Sequence, residues 1–222
     1  MERLKTLLSW SSGKDSAWTL HTLRSDPRYD VVGLVTTINR AADRVAMHAV
    51  RTELLRRQAA VAGLPLRLIE IPSPCSNEEY EEAMEQCVAD AVADAIDCFA
   101  FGDLFLEDVR AYREQKLAGT GIRPLFPIWG RDTSELAREM IASGLRARIT
   151  CVDPRVISRD FAGRDFDAAL LTALPSSADP CGERGEFHTF AYEGPMFREP
   201  IAIESGEIVE RDGFVFADLI AG

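Results

Sequence analysis

A short polar stretch at residues 11–16, which reads Ser-Ser-Gly-Lys-Asp-Ser, constrains the fold of this chain more than any other feature. It follows an apolar run at residues 4–10 and precedes apolar residues at helical spacing, Ala17, Leu20 and Leu23. The pattern predicts a turn between a buried strand and a helix. Unpaired backbone amides, the helix dipole and the lysine together favour an anion-binding site on such a turn.

The spacing of this stretch excludes two common nucleotide-binding motifs. A Walker loop has a glycine five residues before its Gly-Lys pair and a serine or threonine directly after the lysine. Leu8 and Asp15 occupy those two positions here, and no Gly-x-Gly-x-x-Gly fingerprint is present. The alternative interpretation is a polar turn in which a serine or an aspartate caps the helix.

The stretch closely resembles the S-G-G-x-D-S loop of the N-type ATP pyrophosphatases, the PP-loop superfamily. These enzymes cleave ATP between its α- and β-phosphates and adenylate an acceptor. Ser12 stands in place of the second glycine, and a positive φ at that position would strain a serine. The resemblance implies that ATP contacts the loop residues Ser11, Ser12, Gly13, Lys14, Asp15 and Ser16.

Strand and helix patterns alternate from the loop to a last strand at residues 146–152. This alternation predicts an α/β fold with a doubly wound parallel sheet, which is Rossmann-like. The resemblance implies the adenine nucleotide alpha hydrolase type of that fold. We predict an ATP-binding α/β domain at residues 1–160 and a smaller C-terminal substrate-binding α+β part at residues 161–222. Hairpins in that part are expected at turns 193–195 and 205–206.

Polar residues follow several of the predicted strands. Thr36, Gly102 and Asp103 stand at strand ends, where open α/β sheets bind their ligands, so we expect them beside the loop. Met47 and His48 stand at the start of a predicted helix and are further ATP-site candidates. Helix capping is the alternative for Asp103, and a cap or a packed surface position is the alternative for His48.

Three further stretches resemble the diphthine–ammonia ligase family, a branch of the ATP pyrophosphatases. They are Arg-Val-Ala-Met-His at residues 44–48, Phe-Gly-Asp-Leu-Phe-Leu-Glu-Asp at 101–108, and Gly-Glu-Arg-Gly-Glu-Phe-His-Thr-Phe at 182–190. The last motif separates this branch from its relatives. Arg184 departs from it, because a smaller or polar residue is expected there.

The resemblance implies that ATP and a carboxylate form an acyl-adenylate with release of pyrophosphate, after which ammonia displaces AMP. Mg²⁺ oriented by Asp15 and Asp103 would act with Lys14 on the pyrophosphate charge. Glu186 or His188 would take the proton of ammonium. These five residues are the predicted catalytic group.

The acceptor site is predicted in the C-terminal motif, at Glu183, Gly185, Glu186, His188 and Thr189. Its glycines allow close approach of the backbone to a ligand. Carboxylates and an imidazole suit ammonium better than a triphosphate. The alternative is a hairpin rim whose charges face water. The resemblance leaves open whether the acceptor is diphthine or another carboxylate, on a small molecule or a protein side chain.

Composition and charge disfavour some classes of binding partner. A net charge of −11 disfavours nucleic acid, although a PP-loop tRNA-modifying enzyme and a non-catalytic nucleotide-binding protein stay open as alternatives.

Five scattered cysteines without a C-x-x-C pair indicate free thiols and a cytoplasmic location. No signal peptide or membrane span is visible, so no membrane partner is expected. No glutaminase domain is visible, which favours free ammonia as the nitrogen source. A homo-oligomer stays open.

Overall fold

The computed structural model describes residues 2–39, 44–45, 50–72 and 74–222. Within those residues the strands and helices follow in the order β1 (Leu4–Ser9), α1 (Lys14–Ser25), β2 (Tyr29–Asn39), β3 (Arg44–Val45), α2 (Thr52–Ala62), β4 (Leu66–Ile71), α3 (Asn77–Ala93), β5 (Cys98–Ala100), α4 (Glu107–Leu117), β6 (Arg123–Leu125), α5 (Thr133–Ala142), β7 (Arg146–Val152), α6 (Ala168–Ala173), β8 (Phe187–Glu193), β9 (Ile203–Arg211) and β10 (Phe214–Ala221). A short 3₁₀ helix, Arg159–Phe161, lies between β7 and α6.

The first sheet is built around β1, which pairs in parallel with β2 on one side and with β5 on the other. β4 extends the sheet in parallel beside β2, β6 does so beside β5, and β3 runs antiparallel to the end of β2. Leu7 packs with α3 and α4 on one face, whereas Leu8 packs with α1 and α2 on the other. This confirms the predicted α/β class, with a parallel-dominated sheet flanked by helices.

The second sheet is antiparallel and has the strand order β8-β7-β10-β9. Our assignment of residues 146–152 to the parallel sheet is therefore wrong, because β7 pairs antiparallel with β8 and β10. Its sequence already alternates, with Arg146 exposed and Arg148 half-buried between buried residues. Alternation is typical of one-sided antiparallel strands, whereas central parallel strands are apolar throughout. The division at residue 160 stays a prediction, and it falls after this strand.

The turn predicted at residues 205–206 does not form, because Gly206 lies inside β9. A Cβ at Gly206 would come within 3.1 Å of the Asp218 side chain, so the glycine permits close strand contact. The hairpin turn lies instead at Asp212-Gly213, with φ values of 53° and 80°. Two positive φ values are typical of the type I′ turn that joins paired strands. The hairpin predicted at 193–195 does not form either, because β8, which ends at Glu193, pairs with β7 and is not a neighbour of the next strand, β9.

Buried hydrogen bonds join the two sheets at the polar loop. The Ala191 N–H of β8 donates to the Ser12 carbonyl at 3.0 Å. The Gln58 amide of α2 donates to the carbonyls of Ser12 and Ala191 at 3.0 and 2.6 Å. Gln58 Oε1 in turn accepts from the Trp10 indole at 2.6 Å. The loop conformation therefore depends on the second sheet as well as on the first.

All five cysteines carry free thiols, and four of them are buried. Among the described residues, the helices are too short or too polar to cross a membrane.

Candidate functional site

The loop between β1 and α1 is held by its own hydroxyls and by β8. Helix α1 begins at Lys14 with Gly13 at the N-cap, and no side chain caps it, so the capping alternative is not adopted. The Ser16 hydroxyl donates to the Gly13 carbonyl at 2.9 Å, and Ser11 donates to Ser16 at 3.2 Å. The Lys14 N–H donates to Thr189 Oγ1 at 3.1 Å. The C-terminal motif therefore touches the first turn of α1.

Ser12 adopts the conformation that was expected to strain it. Its φ is 69°, and the residue is fully buried. Its hydroxyl is buried and has no hydrogen-bond partner among the described residues. A left-handed backbone and an unpaired buried hydroxyl both cost free energy in a serine, and a glycine would avoid both.

We expect Ser12→Gly to raise the free energy of unfolding by about 1 kcal/mol. Relief of left-handed strain, ~1–2 kcal/mol, and loss of the unpaired hydroxyl, ~1–3 kcal/mol, exceed the ~0.5–1 kcal/mol cost of added chain flexibility. Thermal denaturation should show a Tm higher by about 2–4 °C. The control Ser12→Ala keeps the strain and should gain less. A lower Tm for the glycine variant would refute this account of the loop.

Lys14 is a buried cation with defined partners. Its side chain is 2% exposed, and Nζ donates to Asp15 Oδ2 at 2.8 Å and to the Cys181 carbonyl. The ammonium also lies 5.2 and 5.4 Å from the ring centroids of Phe187 and Phe166. Burial alone would lower the pKa of Lys14, but the Asp15 carboxylate and other groups around the ammonium, among them Asp179, together outweigh it, so the pKa is raised. Lys14 is therefore charged at neutral pH.

The two carboxylate oxygens of Asp15 differ in their hydrogen bonding. Oδ2 accepts from Lys14, whereas Oδ1 is buried without a hydrogen-bond partner among the described residues. Burial raises the pKa of Asp15, and the Lys14 charge opposes that shift. An unpaired buried carboxylate oxygen is costly, so Oδ1 is suited to a ligand that brings positive charge or a donor.

A cavity of about 200 Å³ lies in front of this loop. Both sheets contribute to it, because the loop and the end of β5 form one side and the C-terminal motif forms the other. Its lining comprises Ser9, Ser11, Lys14, Asp15, Ser16, Gly102, Asp103, Arg113, Gly182, Glu183, Phe187, His188 and Thr189. The structure thus brings together most of the residues predicted for the loop, the strand end and the motif.

Some predicted residues lie elsewhere. Thr36 is buried, and its hydroxyl donates to the Trp10 carbonyl at 2.6 Å, so it supports the backbone before the loop. Gly185 has a φ of 86° in a turn outside the cavity lining. Met47 and His48 lie outside the described residues.

Glu186 has a different environment from the one predicted for a proton acceptor. It is 2% exposed, and its oxygens accept the N–H groups of Asp179 and Arg184 at 2.8 and 2.9 Å. It does not line the cavity. This geometry fits a carboxylate that fixes the loop carrying Glu183.

We expect Glu186→Gln to lower the free energy of unfolding by about 1–3 kcal/mol, because an amide N–H₂ would face a backbone N–H in a buried site. Urea denaturation measures the change. Glu207→Gln, at an exposed position on β9, is the matched control and should unfold as the wild type does. Equal stability of the two variants would mean that the buried carboxylate does not hold the loop.

Glu183 and His188 differ in their protonation near neutral pH. Burial raises the pKa of Glu183 to about 7, although its Oε1 accepts the N–H groups of Leu104 and Phe105 at 2.7 and 3.4 Å. Burial, with the Lys14 charge, lowers the pKa of His188 to about 4. An imidazole with that pKa is a weak base, whereas a carboxyl group near pKa 7 exchanges protons readily at neutral pH. The proton-transfer role predicted for Glu186 or His188 therefore suits Glu183 better.

Asp103 is paired with Arg113 and does not cap α4. Arg113 donates from Nε to Oδ2 at 2.6 Å and from Nη2 to Oδ1 at 3.1 Å. The N-cap of α4 is Leu106, without a side-chain cap. The capping alternative for Asp103 is thus not adopted either.

The two predicted magnesium ligands, Asp15 and Asp103, are not equally suited to bind the ion. The described residues contain no group of three His, Cys, Asp or Glu side chains placed to hold a metal ion. Mg²⁺ bound with a nucleotide needs only one or two carboxylates, because phosphates and water supply the rest. Asp15 fits this pattern through its unpaired Oδ1, whereas both oxygens of Asp103 are engaged by Arg113.

Four residues of the cavity lining were not among the predicted site residues. Gly182 and Phe187 lie within the C-terminal motif, and a Cβ on Gly182 would stand 2.8 Å from the Phe187 carbonyl. Ser9 ends β1, so its position at the sheet edge was a usable signal. Arg113 lies in the middle of α4, where no local pattern marks it.

Comparisons with known proteins match most of the chain to one family. The family model described as diphthamide synthase N-terminal domain matches residues 4–124, and the diphthamide synthase C-terminal domain matches residues 132–218. Three similar relatives are named diphthine–ammonia ligase. The Homo sapiens protein is 25% identical and the Mus musculus protein 27%, each with 82% of this chain and 69% of the relative covered. The Danio rerio protein is 27% identical, with 85% and 73% covered. Because the N-terminal model alone matches more than half of the chain, the chain belongs to the diphthamide synthase family.

Proposed function

We propose that this chain is an ATP-dependent ligase that adenylates a carboxylate, releases pyrophosphate, and then forms an amide from ammonia with release of AMP. One observation carries the proposal. Lys14 of the phosphate loop and Glu183 of the C-terminal motif, a cation and a carboxyl group with a pKa of about 7, line the same cavity. Phosphate activation and ammonia deprotonation would then occur in one site.

In the first step the acceptor carboxylate attacks the α-phosphorus of ATP, a P–O bond forms, and the bond to pyrophosphate breaks. The loop amides at the start of α1 and the Lys14 ammonium bind the phosphates and stabilise the charge on the leaving pyrophosphate. The low exposure of Lys14 strengthens this interaction, since few waters compete for the charge. Bound magnesium would supply further charge neutralisation, with Asp15 Oδ1 as its ligand from this chain.

In the second step ammonia attacks the acyl carbon, a C–N bond forms, and the C–O bond to AMP breaks. Glu183 takes one proton from ammonium, which leaves neutral ammonia as the nucleophile. Nitrogen loses one further proton as the amide forms, and that proton passes to the departing AMP or to water. The two backbone N–H donors of Leu104 and Phe105 hold the Glu183 carboxylate in place during this transfer.

The name of these relatives makes diphthine and ammonia the first substrates to test. Free ammonia is the proposed nitrogen source. Arg184 in the C-terminal motif is 5.1 Å from the Phe105 ring centroid, and its Nη1 lies 3.9 Å from Glu186. This arginine therefore packs on the outer side of the motif and leaves the cavity lining to Glu183 and His188.

The experiment incubates the chain with ATP, Mg²⁺, ammonium and a protein that carries diphthine, and follows products by ³¹P NMR. We expect AMP and pyrophosphate in equal amounts, with one amide formed per AMP. Without ammonium, the acyl-adenylate should form with at most one pyrophosphate per chain and without amide. ADP and inorganic phosphate as the main products would overturn the proposal. A second arm replaces diphthine with a panel of carboxylic acids. AMP release only in that arm would keep the chemistry and reject diphthine.

A further inference from the structure

A second and larger cavity lies between α3 and α4, on the sheet face that carries Leu7. Its volume is about 550 Å³, compared with about 200 Å³ in front of the phosphate loop. Most of its wall is apolar or aromatic: Tyr80, Met84 and Val88 of α3 face Phe99 and Phe101 at the end of β5. This α3–α4 cavity is separate from the nucleotide cavity and shares only Arg113 with it.

The charges around the α3–α4 cavity are unusual for this chain. Among the described residues, the lining has two cations, Arg113 and Lys116 of α4, and one carboxylate, Glu85 of α3. Each cation also pairs with a carboxylate outside the lining, Asp103 and Glu81 respectively. The chain as a whole has a net charge of −11. Because Asp103 and Glu81 do not line the cavity, the cavity itself faces more cationic than anionic groups, which favours an anionic group on the occupant.

Arg113 and Lys116 can each still contact an anionic ligand. Lys116 pairs with Glu81 at 3.0 Å, but the two side chains are 31% and 44% exposed, and exposed pairs of this kind contribute little. Arg113 gives Nε and Nη2 to Asp103 and stacks 4.4 Å from the Phe101 ring centroid. Its Nη1 has no hydrogen-bond partner within the described part of the chain.

We propose that the α3–α4 cavity binds a small organic acid, with an apolar or aromatic body between α3 and α4 and one carboxylate on Arg113 and Lys116. Pockets of this volume with apolar walls and a few polar groups are typical small-molecule sites. Charge complementarity selects an acid over a neutral or cationic ligand of the same shape. Because Arg113 also holds Asp103, the bound acid contacts a residue at the wall of the nucleotide cavity.

The test is isothermal titration of the full chain with 2-naphthoate and, as its neutral match, 2-naphthamide. We expect the acid to bind at least about tenfold more tightly, since a charge-assisted hydrogen bond is worth about ten- to a hundredfold. Arg113→Gln should reduce this preference to a few-fold. An equal affinity for both compounds in the wild type would contradict the assigned carboxylate.

A cavity-filling variant locates the site. Val88→Trp places a large ring between α3 and α4 and should weaken naphthoate binding at least about tenfold. Val209→Trp is the matched control, since Val209 is 43% exposed on β9, and it should bind as the wild type does. Circular dichroism checks folding, and Met84→Trp replaces Val88→Trp if that variant unfolds. No binding to the wild type, or unchanged binding to a folded cavity-filled variant, would overturn the proposal.

Discussion

Lys14→Met should lower ATP affinity about ten- to a hundredfold and turnover further still. The affinity loss follows from removal of a charge-assisted contact, ~1.5–3 kcal/mol. Turnover falls more because the ammonium also stabilises charge that develops on the leaving pyrophosphate, and one such donor is worth about 10²–10³ in rate. Titration calorimetry measures ATP binding, and the rate of AMP release measures turnover.

The control for this variant is Lys5→Met, the same substitution at an exposed position on β1, which should leave both quantities unchanged. Lys14→Met also leaves the half-buried Asp15 carboxylate without its partner, which lowers the free energy of unfolding. The double variant Lys14→Met/Asp15→Asn removes that uncompensated charge. Wild-type turnover in a folded Lys14→Met protein would show that the lysine takes no part in catalysis.

Glu183→Gln should lower kcat about 10²–10⁴-fold while ATP affinity stays within a few-fold, because general-base catalysis contributes that much and the side chain is assigned to ammonium. In the wild type kcat should rise with pH through about 7, as Glu183 loses its proton. The variant should lack this rise. His188, with a pKa of about 4, is neutral throughout that range and cannot produce it. A retained rise near pH 7 in the variant would assign the base to another group.

Glu183→Gln should also change how the free energy of unfolding depends on pH. The pKa of Glu183 is higher in the folded chain than its ordinary value of 4.5, so the folded state holds this proton more tightly. That contribution to stability is complete below pH ~4.5 and is lost as the pH rises through about 7. Glu183→Gln lacks the loss, so its stability relative to the wild type should increase between pH 5 and pH 8. Urea denaturation at both values measures this, with Glu207→Gln as the exposed control.

Apolar spacing in the sequence predicts those strands and helices whose formation depends on neighbouring residues. The apolar run at residues 4–10 and the helical spacing after the loop predict the strand–turn–helix arrangement that the structure shows, with β1 at Leu4–Ser9 and α1 at Lys14–Ser25. The sheet that β7 joins depends on pairing with β8 and β10, which lie far along the chain, and no local pattern specifies such partners.

The site shows the same division between local and long-range information. Lys14, Asp103, Glu183 and His188 are found from the motifs and do line one cavity. The motif cannot decide between Glu183 and Glu186, because both are glutamates beside a glycine. Their roles separate only when the backbone donors around Glu186 are known. Arg113, within α4, pairs with Asp103 in the loop before that helix, and no local sequence pattern indicates this contact.

We propose that the carboxylate of the acceptor attacks the α-phosphorus of ATP, and the fate of its oxygen atoms tests this step most directly. The acceptor that supports AMP release is prepared with ¹⁸O in its carboxylate and is converted with ATP and ammonium. The account predicts one ¹⁸O atom in the phosphate of AMP, visible as an isotope shift in the ³¹P spectrum. Unlabelled AMP, or label in inorganic phosphate with ADP as the other product, would contradict it.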